Sequence, residues 1–167
     1  MKPVVGIIMG SDSDVEIMQE AGKILKQFGV PYEIGVYSAH RSPRRTADYV
    51  KSARKRGLKV IIAGAGSSAH LAGVTAAETT LPVIGVPIGS SPLSGFDSLL
   101  STVQMPPGVP VGTMGVGISG ATNAGIFAVQ ILALEDETLM NRLVEYKQNL
   151  EKSVTEKSKR IPEENGG

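Results

Sequence analysis

Only two histidines occur in the chain, and both sit in the same triplet: Ser38-Ala39-His40 and Ser68-Ala69-His70. Imidazole titrates near neutrality without perturbation, so one ring can give and take a proton under working conditions. Each triplet follows a short apolar run that reads as a strand. From the residues alone, polar surface positions and an acid–base role are equally open. Arg41 follows His40 directly, and a guanidinium grips phosphate through a planar fork of donors. An earlier loop, Gly10-Ser11-Asp12-Ser13-Asp14, offers the Ser11 and Ser13 hydroxyls and helix-N-terminal amides, which suit phosphate. Its carboxylates oppose an anion, and Arg41 on the adjacent strand end is the cation to offset them. Asp14 reads either as an acceptor for sugar hydroxyls or as a first-turn helix residue, and Asp12 as the latter. The run Gly64-Ala65-Gly66-Ser67-Ser68 presents backbone amides with little side-chain bulk. It reads as a tight strand-to-helix turn or as a ligand cradle.

These residues need a scaffold, and the apolar pattern supplies one. Val4–Met9 is a β-branched run expected to form a strand buried on both faces. Ser13 and Glu16 have the spacing of a capping box for a helix through Phe28, which Gly29 ends and Pro31 prevents from continuing. Tyr32–Tyr37 reads as a second strand. Ser42 is placed as N-cap, with Pro43 at the first helical position of a helix ending at Gly57. Val60–Ala63, Pro82–Val86 and Val109–Val116 read as strands, and Ala69–Thr79 and Phe96–Val103 as helices. Asn123–Leu134 is an almost wholly apolar helix, expected to be buried on most sides. Alternating strands and helices imply right-handed crossovers and a parallel sheet covered on both faces. The expected fold is α/β, a flavodoxin-like three-layer sandwich whose five strands take the order 2-1-3-4-5. In such sheets ligands bind beyond the carboxyl ends of the strands, at the switch point, where the first and third loops lie.

A single catalytic domain is expected over residues 1–135, then a long helix over 136–160 and a disordered tail over 161–167. Leu139, Leu143, Tyr146, Leu150 and Val154 form one stripe on that helix. It packs either on its own domain or on a neighbouring subunit, and the second is favoured because the core closes without it. Lysine and arginine number 17 against 16 acidic residues, for a net charge of +1, so nucleic-acid binding is not expected. No cysteine is present, which leaves no disulfide or thiolate metal site and fits a cytoplasmic location. No apolar stretch is long enough to span a bilayer, and the start of the sequence lacks the pattern of a signal peptide.

With these motifs placed, the chain resembles the 5-(carboxyamino)imidazole ribonucleotide mutase family of bacterial purine synthesis. The likeness runs from Val4 to about Leu134. It is carried by Met9-Gly10-Ser11-Asp12-Ser13-Asp14, Ser38-Ala39-His40-Arg41, Ile61-Ile62-Ala63-Gly64-Ala65-Gly66, Leu81–Pro87 and Asp97–Pro106. The resemblance implies that Ser11 and Arg41 hold the ribonucleotide phosphate and Asp14 the ribose. His40 is implied as the acid–base. Gly64 to Leu71, with His70, is implied to line the base and carboxyl end of the pocket. The substrate-binding set is therefore Ser11, Ser13, Asp14, Ser38, Ala39, Arg41, Gly64, Ala65, Gly66, Ser67, Ser68, His70 and Leu71. The resemblance further implies transfer of a carboxyl group from nitrogen to carbon through enzyme-held CO2. It implies an octamer whose last helix reaches a neighbour, and neither metal nor organic cofactor. This sequence departs from the family pattern at Ser67 and Ser68, which replace Gly and Ala, at Ala72, which replaces Pro, and at Ser42, where Thr is usual.

Other classes fit less well. A carboxylase acting directly on CO2 would use nearly the same residues. A phospho-receiver domain needs an aspartate after the third strand, where Ala63-Gly64 stands. A flavin carrier needs aromatics, which make up 4% of the chain, and a first loop that is not acidic. A non-catalytic nucleotide-binding module would show binding without turnover.

Overall fold

A computed structural model describes residues 2–159 of the chain. The expected tail over 161–167 lies outside them. Five parallel strands alternate with helices: β1 (Val5–Met9), α1 (Val15–Gln27), β2 (Tyr32–Val36), α2 (Pro43–Arg56), β3 (Val60–Gly66), α3 (Leu71–Glu78), β4 (Val83–Ile88), α4 (Phe96–Val103), β5 (Gly112–Thr113), α5 (Ile118–Ala133) and α6 (Glu137–Ser158). The sheet order is β2-β1-β3-β4-β5, as expected.

The run of β1 is apolar throughout because both of its faces are covered. Val5, Ile7 and Met9 pack with Met18, Ala21 and Leu25 of α1 and with Ala121, Ala124, Ala128 and Val129 of α5. Ile8, with Ile61 and Ala63 of β3, faces Val50 and Ala53 of α2 and Leu71 and Ala72 of α3. Alternation along each strand thus feeds two cores, one per face of the sheet. Helices α1 and α2 end where glycine was expected to end them: Gly29 has φ +71° and Gly57 φ +103°, left-handed values that a side chain resists.

Several boundaries differ from the sequence reading. β3 runs three residues past Ala63, because Ala65 and Gly66 pair with Pro87 and Ile88 of β4. β4 likewise continues to Ile88. Ladder formation with a neighbour outweighs the poor strand propensity of glycine. β5 is only two residues long, since it pairs on one side alone, through Gly112 and Thr113. Pro110, just before it, has no N–H to donate. α3 begins at Leu71 rather than Ala69.

α5 starts at Ile118, five residues earlier than its apolar run, and buries one face only. Within Asn123–Leu134, Phe127 is 38% exposed and Leu134 79%, so the expectation of burial on most sides does not hold among the described residues. α6 divides along its length. Leu143 is buried, Leu139 and Tyr146 pack on the α1–α5 core, and the Tyr146 ring meets Phe28 at 5.4 Å. Arg142 reaches back to donate to the Phe28 carbonyl at 2.7 Å, capping the end of α1. Beyond this point Leu150 and Val154 are 48% and 67% exposed. The first half of the stripe therefore packs on its own domain, and the second half is left partly or mostly exposed among the described residues.

Candidate active site

Four strand ends and the loops after them make one rim, and a cleft of about 280 Å³ opens there. After β1 the chain does not enter α1 directly. Asp12–Asp14 form a single 3-10 turn, with Ser11 rather than Ser13 as its cap. The Ser11 hydroxyl accepts from the Ser13 amide at 3.4 Å, and the Asp14 carboxylate accepts from the Ser11 amide at 3.1 Å. The capping box is real but sits two residues before the expected one, with Asp14 in place of Glu16. The inserted tight turn satisfies amides that α1 would otherwise leave bare. Asp14 is 4% exposed, and loss of water raises its pKa, with the Ser11 amide and Ser13 hydroxyl opposing. Asp12 points to solvent outside the cleft and its pKa is lowered, first by the Ser11 hydroxyl.

Past β2, Ser38–Ser42 close a turn. Ser42 holds the N-cap position of α2, yet its hydroxyl turns back to donate to the Ser38 carbonyl and accept from the Ser38 amide, both at 3.2 Å. Thr46 donates to the same carbonyl at 3.1 Å. The Arg41 amide donates to the Ser38 hydroxyl at 3.1 Å, and its guanidinium crosses to the Gly10 carbonyl at 2.8 Å. That bond fixes the side chain across the end of β1 and leaves further guanidinium N–H groups for an anion. The cation expected to offset the first loop is therefore in place.

Beyond β3 the chain turns sharply at Ser67, whose φ of +53° is left-handed. The Ala69 amide is held by the Ser101 hydroxyl of α4 at 3.2 Å, which in turn donates to the Asp97 carbonyl at 2.5 Å. This clip brings His70 to His40. Nε2 of His40 and Nδ1 of His70 lie 2.7 Å apart, with the rings edge to face at 87°. One nitrogen must donate and the other accept, so the bond shares one proton and ties the tautomer of each ring to the other. Both rings are exposed to solvent.

The cleft is lined by His40 and by Ser11, Ser13, Asp14, Ser38, Ala39, Arg41, Ala65, Gly66, Ser67, Ser68, His70 and Leu71. Of the residues read from the sequence, Gly64 alone is not among them. A Cβ there would run into the Met18 sulfur, so its missing side chain lets α1 lie on β3. Two further residues line the cleft, Gly10 and Ser90. Gly10 follows directly from the first motif. Ser90 carried no signal, because the fourth strand was expected to end at Val86, and two more strand residues are what bring Ser90 to the rim.

Comparison with known proteins identifies the family. A family model described as AIR carboxylase matches residues 4–153. The chain is 56% identical over 161 residues to the N5-carboxyaminoimidazole ribonucleotide mutase of Bacillus subtilis (strain 168), covering 96% of this chain and 99% of that one. It is 54% identical over 162 residues to the protein of the same name from Pyrococcus horikoshii, covering 97% and 90%. Among solved structures, Treponema denticola PurE superposes with a TM-score of 0.82 at 27% identity, over 96% of this chain and 99% of that chain. A match spanning nearly the whole domain, with the two histidine motifs meeting at the rim of the shared fold, means that the chain belongs to the AIR carboxylase family.

Proposed function

We propose that this chain is a mutase of purine (IMP) biosynthesis, converting N5-carboxyaminoimidazole ribonucleotide to 4-carboxy-5-aminoimidazole ribonucleotide. The observation that carries the reading is the 2.7 Å His40–His70 contact beside the Ser11–Arg41 corner of one cleft. A pair of imidazoles beside an arginine and a serine-capped turn supports a proton-transfer group next to a phosphate-binding corner. The relatives named above support the substrate assignment.

The substrate carries its carboxyl on an exocyclic nitrogen. When the N–C bond breaks, its electron pair stays on nitrogen, which takes a proton from His40, and CO2 is released beside the electron-rich ring. The adjacent ring carbon then attacks CO2 to form the C–C bond, and the hydrogen on that carbon returns to the imidazole. One proton enters and one leaves, so His40 is restored each cycle. Such acid–base help contributes about 10² to 10⁴-fold. Holding CO2 against the ring adds several kcal/mol through effective molarity. Arg41 and the Ser11 loop hold the phosphate, Asp14 faces the ribose, and Ala65 to Leu71 line the carboxyl end. Proton transfer by these side chains accounts for the chemistry, and the reading includes no metal and no organic cofactor.

The reading extends to a cytoplasmic homo-oligomer, an octamer, in which the outer half of α6 docks on a neighbour. The exposed Leu150 and Val154 support that placement. Among the described residues no helix is long and apolar enough to cross a membrane.

The test supplies the carbamate ribonucleotide and follows the C-carboxylated product by absorbance, with His40→Asn as control. Turnover by the wild type, lowered about 10² to 10⁴-fold in a folded His40→Asn, is expected. Equal turnover in the variant would remove His40 from the mechanism. Turnover only of aminoimidazole ribonucleotide with bicarbonate would make the chain a direct carboxylase instead.

A further inference from the structure

We propose that Ser90 is a further substrate-binding residue, whose hydroxyl donates a hydrogen bond to the migrating carboxyl group. The proposal rests on the mutase reading above and names the group that meets the carboxylate.

The order of the rim gives the first reason. Arg41 follows β2, Ser11 follows β1, His70 follows β3 and Ser90 follows β4, and these strands are neighbours in that sequence. Two strand spacings, about 9.6 Å, separate the end of β1 from that of β4. A ribonucleotide anchored by its phosphate at β1 and β2 therefore directs its base along the rim toward β3 and β4. The carboxyl moves between the exocyclic nitrogen on C5 and the neighbouring ring carbon C4, along one side of that base, and in the proposal that side is set against Ser90.

A steric fit gives the second. A Cβ on Gly66 would fall on the Ser90 hydroxyl, and would lie 3.1 Å from the Ile88 carbonyl. The bare backbone of Gly66 makes the space that the Ser90 side chain occupies. The hydroxyl thus lies against the end of β3 inside the cleft.

The third reason is that this hydroxyl, exposed to solvent, is not engaged by another group of the protein among the described residues. The Ile88 carbonyl beside it already accepts from the Ser90 amide at 3.1 Å and from the buried Ser98 hydroxyl at 2.9 Å. The hydroxyls of Ser38 and Ser42 bond to backbone groups of their own loop, and that of Ser101 to the Ala69 amide and the Asp97 carbonyl. Of the hydroxyls lining the cleft, those of Ser90, Ser67 and Ser68 make no such bond among the described residues, and of these Ser90 alone follows β4.

The chemistry favours a neutral donor here. Substrate and product carry a carboxylate, but the species between them is uncharged CO2. A lysine or arginine would stabilise both carboxylates far more than CO2 and so deepen the ground states on either side. A serine O–H holds the carboxylate with a smaller difference between the states. It also leaves CO2 beside the ring carbon that must attack it.

The test compares the wild type with Ser90→Ala and Ser90→Thr by two measurements. The first is affinity for 4-carboxy-5-aminoimidazole ribonucleotide against the same nucleotide lacking the carboxyl. Ser90→Ala is expected to weaken the first by about tenfold to a hundredfold and leave the second unchanged. Ser90→Thr, which keeps the donor, restores it. The second uses substrate labelled with ¹³C in the carbamate carboxyl and excess unlabelled bicarbonate. Wild-type product is expected to retain the label, and Ser90→Ala product to lose part of it as CO2 escapes. Equal weakening toward both nucleotides would show a merely structural role and overturn the proposal. So would unchanged affinity for the carboxylated nucleotide, or full label retention in Ser90→Ala. If the wild type turns over neither nucleotide, the mutase reading fails, while the paired affinities still decide whether Ser90 meets a carboxylate.

Discussion

Replacing Gly64 with alanine adds one methyl group, and the structure says where it goes. The new Cβ meets the Met18 sulfur, with Met18 Cε at 2.9 Å and Cγ at 3.0 Å. Met18 is fully buried between α1 and the sheet, so its side chain has little room to retreat. Overfilling a close-packed site costs about 1–3 kcal/mol. The loss of glycine's freedom in the unfolded chain offsets about 0.4–1 kcal/mol of that. A net destabilisation of up to about 2.6 kcal/mol remains, centred on about 1.3, which in a domain of this size lowers Tm by up to roughly 10 °C. The assay is thermal unfolding at fixed protein concentration, beside the KM for the ribonucleotide, which should hold near wild type. Pairing Gly64→Ala with Met18→Ala sharpens it. Met18→Ala alone should lose about 2–5 kcal/mol, and the alanine methyl at 64 should then refill part of the hole, so that the two costs do not add. A Gly64→Ala protein of unchanged stability and raised KM would refute the reasoning and return Gly64 to the ligand cradle.

Arg41→Ala is expected to weaken nucleotide affinity by about tenfold or more with little change in Tm, since the side chain is exposed and its bond to Gly10 is replaceable by water. Unchanged affinity in a titration would end the phosphate assignment. Asp14→Asn tests the buried carboxyl. Because burial raises its pKa above 3.8, the folded state prefers the protonated form, so the contribution of Asp14 to stability is full below that value and fades as pH rises through the raised one. The variant should therefore gain stability relative to wild type as pH climbs from below 3.8 to neutrality, while binding the nucleotide more weakly. A constant stability difference across that range in urea titrations would contradict the desolvated placement. Sedimentation should show an assembly well above monomer mass, weakened by Leu150→Glu with Val154→Glu. A monomer at every concentration would exclude docking through α6.

Much of this protein was determined by its sequence. The uninterrupted apolar runs of β1 and β4 allow no exposed face, and the glycines at 29 and 57 take left-handed φ values that stop their helices. The two Ser-Ala-His triplets follow strand ends, so their place on the ligand rim was legible from alternation alone. Local patterns of this kind depend on the few residues around them and survive in one dimension.

Tertiary structure decided the rest. His40 and His70, 30 residues apart, meet across the end of β1, where the loops after β2 and β3 converge and the Ser101 hydroxyl holds the Ala69 amide. The glycines at 64 and 66 look alike in sequence. Two residues of strand, about 6.6 Å, carry one beneath α1 and the other past it to the cleft. Ser90 reaches the rim because pairing with β3 prolongs β4 to Ile88, a gain that no propensity of its own residues foretells. In each case the deciding contact comes from a neighbouring element, and it exists only once the sheet has formed.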